Sequence, residues 1–183
     1  MGGALTSAWE RRLLLAGVVA AAALCAAGTV AAGPLSEAAG GGGLCAPSPT
    51  GGPVTASYPL PNSGPGIVTI DHVRLVDPEG LTLEAAHVVP GRFVMGGPYP
   101  PDFTSADAFP ELLPAWEQRV DAVGALVPPG FGHDLVVGLR PSGPGESSID
   151  GVEIAYSEGG RSYLVTSLLS VTVRAGSSAC GFS

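Results

Sequence analysis

Leu13 to Ala32 form the longest apolar stretch in the chain, twenty residues without a charge. Coiled as a helix they would span about 30 Å, the thickness of a bilayer's hydrocarbon core. Arg11 and Arg12 precede the stretch, and no basic residue follows it until Arg74. That asymmetry predicts a cytoplasmic stub at 1–12, a transmembrane helix at 13–32, and everything beyond it outside the cell. A signal sequence cut after Ala32 is the alternative, since Val30-Ala31-Ala32 offers small residues at the cleavage offsets. The protein would then be secreted.

Beyond residue 66 the pattern changes to short apolar runs separated by turn residues, the mark of an all-β chain. Ile67 to Val76 alternates as Val68, Ile70, then Val73, Leu75. The phase slips by one residue, which predicts a β-bulge at Asp71-His72. Asp77-Pro78-Glu79-Gly80 has the residues of a type I turn. It predicts a hairpin to Leu81–Val89, with Leu81, Leu83, Ala85 and Val89 on one face. Six prolines interrupt Pro90 to Pro114 and leave room for one short helical turn around Ser105 to Phe109.

Strands are expected again at about Val120 to Val127 and Leu135 to Arg140. Val152, Ile154 and Tyr156 alternate before Gly159-Gly160, and Tyr163 and Val165 resume after it. A two-residue turn there sets Glu158 opposite Arg161, Ser157 opposite Ser162 and Tyr156 opposite Tyr163. Glu158 and Arg161 would then form a cross-strand ion pair. The sum is a mainly β domain over 53–183, an antiparallel β-sandwich of about seven strands. No helix is long enough for βαβ units.

Composition changes this picture at one place. Residues 33–66 hold sixteen Gly and Pro in thirty-four positions. Residues 33–52 therefore read as a flexible linker between membrane and domain. Gly40 to Gly43 form no phosphate loop, since no Gly-Lys-Ser/Thr follows them.

Charge excludes one class of partner. All eight basic residues are Arg, and past residue 33 six Arg face fifteen acids. An acidic body with scattered Arg has no footprint for a phosphate backbone, so no nucleic acid is expected.

Three cysteines occur, with no Cys-x-x-Cys among them. Cys25 lies in the apolar stretch, while Cys45 and Cys180 bracket the domain. Outside the cell those two are expected to form a disulfide.

The remaining chemistry is sparse. His72, His87, His133 and Met95 are the candidate metal ligands, which would make an exported copper-handling sandwich. They show no His-x-His or His-x-x-x-His spacing. No Gly-x-Ser-x-Gly is present, so nothing marks the nucleophile of a small hydrolase. No catalytic residue and no cofactor is expected, and the chain reads as a non-enzyme. Trp116 is expected to plug the core rather than to serve as a recognition patch.

Taken together, the layout resembles uncharacterised exported or membrane-anchored actinobacterial proteins. Its marks are the basic tip, the Ala-rich span and a small β domain. That domain carries Trp116-x-x-Arg119, Gly124-Ala125-Leu126-Val127-Pro128-Pro129-Gly130 and Val137-Gly138-Leu139-Arg140-Pro141. The absence of Lys fits a high-GC genome. The resemblance implies an Ig-like extracytoplasmic domain, and a non-enzymatic binding or envelope-structural role follows as the expectation.

Overall fold

The computed structural model describes residues 33–36, 42–93, 96–105 and 109–180, and the fold is that of the unit Ala31–Ser183. Residues 13–32 and Met95 lie outside the described residues. Among the described residues no helix is long and apolar enough to cross a membrane.

Among the described residues eleven strands form three sheets, where the pattern predicts about seven strands. They are β1 (Gly42–Ser48), β2 (Val54–Pro59), β3 (Val68–Val76), β4 (Leu81–Pro90), β5 (Val120–Asp121) and β6 (Leu126–Val127). After them come β7 (His133–Pro141), β8 (Gly145–Ile149), β9 (Gly151–Glu158), β10 (Arg161–Ser167) and β11 (Leu169–Ala175). One sheet runs β10-β9-β3-β6, a second β2-β7-β4-β5, and a third β1-β11-β8. Every pairing is antiparallel except β1 with β11.

Inner faces of all three sheets share one core. Ile70, Ile154, Tyr58, Leu135, Ile149 and Val171 are buried in it. Burying a side chain of this size removes enough apolar surface from water to stabilise by about 1.5–3 kcal/mol. β7 is buried on both faces. Leu135, Val137 and Leu139 enter the main core, while Val136 enters a second, smaller cluster. An unbroken apolar run such as Leu135-Val136-Val137 suits a strand covered on both sides.

The bulge in β3 stands where the phase slip puts it, between Ile70 and His72. The β9–β10 hairpin also has the expected register, with Tyr156 opposite Tyr163 and Glu158 opposite Arg161. Its two tyrosine rings stack at 5.4 Å.

Other expectations are corrected. β3 and β4 are not a hairpin, because they lie in different sheets. Residues 77–80 carry the chain across the sandwich, and Glu79 bonds to Ser148 of β8 on the way. A turn motif encodes a local bend, but the partner of each following strand is chosen by the core. β4 has a bulge of its own, between Leu83 and Ala85. Leu81, Leu83 and Val88 therefore pack on the main core, while Ala85 and Val89 belong to the second cluster. Glu84, at that bulge, pairs with Arg140 of β7, and the guanidinium holds its carboxyl below the usual range.

The stretch 120–127 is two two-residue strands in different sheets rather than one strand. The helical turn lies after Phe109. Pro110–Leu112 form a 3₁₀ turn and Leu113–Glu117 a short helix, α1. Each begins with Pro in its first two positions, where a missing N–H costs nothing.

The Gly/Pro-rich segment read as linker is partly structural. Gly42–Ser48 is strand β1, running parallel to β11 from Gly42 opposite Leu169 to Ser48 opposite Ala175. Gly33–Ser36 is also tied down. Leu35 is buried, its N–H donates to Tyr156 Oη at 3.1 Å, and Ser36 N–H donates to the Pro61 carbonyl at 3.2 Å.

Candidate functional site

The described residues between Arg92 and Arg119 fold over the outer face of the β2-β7-β4-β5 sheet. A second cluster forms there from Val89, Phe93, Tyr99, Trp116 and Val136, with Phe103 and Leu112 against it. Trp116 is thus core-like as expected, but in this outer cluster rather than at an end of the sandwich.

Tyr99 seats directly on Gly138. A Cβ at position 138 would stand 2.5 Å from the Tyr99 ring, so only a glycine lets the ring lie on the strand. Trp116 crosses Tyr99 edge-on at 6.0 Å and tilts against Phe93 at 5.7 Å. The guanidinium of Arg119 covers the outer side of Trp116, 4.5 Å from the ring. It is held there by a 3.0 Å hydrogen bond from Nη1 to the Trp116 carbonyl.

Two titratable groups enter this cluster. His87 of β4 lies between Tyr99, 6.3 Å away, and Trp116, 5.6 Å away. Burial, and then the positive charge of Arg119, push its pKa down, while Asp121 and the Val120 backbone draw it up. Its Nδ1 stands 3.3 Å from Asp121 Oδ1 without hydrogen-bond geometry. The imidazole is therefore held toward its neutral form.

Asp134 of β7 is 2% exposed. Its Oδ2 accepts from Ser57 Oγ at 2.9 Å and from the Phe93 N–H at 2.8 Å, while Oδ1 has no protein donor. The carboxylate fastens the start of the covering segment to the sheet.

The three candidate histidines are not brought together. His72 is exposed on β3, in the sheet opposite the one that carries His87 and His133. His87 pairs with Val136 and His133 with Pro90, three positions apart on the β4–β7 ladder. Among the described residues no group of three His, Cys, Asp or Glu side chains could hold a metal ion.

Glu158 and Arg161 face one another across the last turn but form no ion pair. The Glu158 carboxylate instead accepts the Gly66 N–H at 3.1 Å. The loop before β3 takes the acceptor that a hairpin read in isolation would assign to the arginine.

Cys45 and Cys180 are joined as a disulfide, their Cα atoms 5.9 Å apart. It ties the segment after β11 to β1.

Sequence reasoning missed Tyr99, Asp134 and Phe93 as parts of one cluster. Asp134 carries a usable signal, an acid at the head of the apolar run Leu135–Leu139. Tyr99 and Phe93 sit in an irregular proline-rich stretch, where no periodicity assigns a face.

No protein-family model and no curated protein matches the chain. Among solved structures the chain is similar to the ASH / PapD-like domain of human CEP192 (PapD-like domain 7). The identity is 11% and the TM-score 0.35, over 73% of this chain and 80% of that one.

Proposed function

We propose that the protein is a membrane-anchored, extracytoplasmic, Ig-like β-sandwich with a non-enzymatic binding or envelope-structural role, carried by the Cys45–Cys180 disulfide. A bridge between the first strand and the end of the chain belongs to an oxidising compartment. The apolar stretch 13–32 and the Arg11-Arg12 pair before it supply the route there.

The outer cluster suits a structural part in that role. Its aromatic rings are buried under Arg119, with a desolvated His87 among them. The Ser57 hydroxyl donates a hydrogen bond to the buried Asp134 carboxylate, which also holds the Phe93 N–H, so both groups serve to fasten the covering segment.

The test is topology. In a bacterial host, a C-terminal alkaline phosphatase fusion should be active and should sediment with membranes. A C-terminal reporter that works only in the cytoplasm would reverse the orientation. Recovery of a mature chain beginning at Gly33 would replace the anchor with secretion.

A further inference from the structure

One end of the sandwich carries apolar and basic groups together, and it is the end where the chain enters the fold. β3 and β10 begin there, and β2, β4 and β9 end there. Backbone hydrogen bonds join its loops. Asn62 and Gly130 exchange N–H···O bonds of 2.9 and 2.8 Å, and Gly91 N–H donates to the Gly132 carbonyl at 2.7 Å. Asn62 Nδ2 reaches the carbonyls of Gly66 and Val127, both at 2.9 Å.

Gly33–Ser36 is part of this end. The Pro34 carbonyl accepts the Ser63 N–H and hydroxyl, both at 2.9 Å. Gly33 lies against the rings of Tyr156 and Tyr163.

Phe131, 74% exposed, and Ile67, 54% exposed, project from these loops. The exposed charges on their described residues are Arg92 and Arg161. Of the acids nearby, Asp134 is buried, Glu158 accepts from the Gly66 N–H, and the exposed Asp71 accepts from the Ser157 hydroxyl at 3.1 Å. The opposite end, where β3 ends and β9 begins, exposes Asp77, Glu79 and Asp150.

We propose that the Phe131–Ile67 end rests on the membrane surface, with Phe131 and Ile67 in the headgroup layer and Arg92 and Arg161 against lipid phosphates. The inference rests on the anchor reading and adds an orientation to it. Pro34 and Leu35 are hydrogen-bonded into the domain just after the stretch 13–32, so the end of the sandwich they join is tethered next to the anchor. Aromatic and arginine side chains suit the membrane–water boundary. Past residue 33 six Arg face fifteen acids, so an anionic surface repels most of the body, and Arg92 and Arg161 supply the attraction at this end.

The experiment uses the full chain with Cys25→Ser, reconstituted into vesicles of equal parts phosphatidylcholine and phosphatidylglycerol. A nitrobenzoxadiazole probe is placed at Gly132→Cys or, at the far end, Gly143→Cys. Both positions are exposed, with open space for a Cβ. Lipid bearing a headgroup nitroxide should quench the probe at 132 about twofold or more over the probe at 143, since nitroxide quenching needs near-contact and the attraction of Arg92 and Arg161 to lipid acts only close to the surface.

Arg92→Glu with Arg161→Glu should lower quenching at 132 while flotation with vesicles is unchanged. Equal quenching at the two positions in floating protein overturns the orientation and leaves the anchor standing. Protein that does not float overturns both. Quenching at 132 that ignores the arginine changes overturns the role of the arginines.

Discussion

At Gly138 the missing side chain is the structure, because the Tyr99 ring occupies the space a Cβ would fill. Gly138→Ala should force the ring off the strand and cost about 1–3 kcal/mol, as overpacking does. Urea denaturation followed by tryptophan fluorescence reads this, and an unchanged midpoint would place the ring elsewhere. His87 makes a second prediction at this scale. Its folded pKa is depressed by burial and by Arg119, so the folded state binds its proton less readily than the unfolded chain. Its contribution is therefore present above the unfolded value of about 6.5 and lost as pH falls through and below it. Between about pH 8 and pH 5 the natural protein should lose stability more steeply than His87→Gln. Parallel profiles would show that the imidazole does not sense the cluster.

Among the elements, the β9–β10 hairpin is the most local and was the most legible. Gly159 and Gly160 have φ of +57° and +79°, which a type I′ turn requires and a branched side chain resists. Gly160→Val should cost more than about 1 kcal/mol by chemical denaturation, and no loss would exclude this turn. Bulges divide by the same logic. In β3 the apolar residues Val68, Ile70, Val73 and Leu75 display their own phase slip. In β4 the residues around the slip are Leu83, Glu84, Ala85 and Ala86, and alanines fit either face, so alternation carries no signal. β1 was illegible for a different reason. Gly42, Gly43 and Pro47 are poor strand formers, and the segment is a strand only because β11 offers it an edge.

Over the whole molecule the Cys45–Cys180 bond closes a loop of 135 residues. In the chain-entropy model such a closure is worth up to about 5 kcal/mol. Reductant should lower the denaturation midpoint of the exported full-length protein. Before reduction Cys25 alone should alkylate, and afterwards all three cysteines should, read by intact mass. Reaction of Cys45 or Cys180 in unreduced protein would show the bridge absent. The effect should exceed that of the surface ion pairs, since Arg74–Glu153 and Arg174–Glu146 include exposed partners and such pairs contribute little.

Local sequence determined what neighbouring residues can enforce on one another. That covers the β class, the β3 bulge, the final hairpin and its register. The cysteine pair was legible too, through the compartment implied by the apolar stretch. Tertiary structure decided everything that depends on a distant partner. The chain crosses between sheets at 77–80, residues 120–127 divide into two edges, and a glycine-rich segment becomes β1. In the same way Tyr99 settles on Gly138, and His87 and Trp116 gather around its ring. Each of these contacts joins residues far apart in the chain, and their chemistry alone does not state which surface will be left for them to cover.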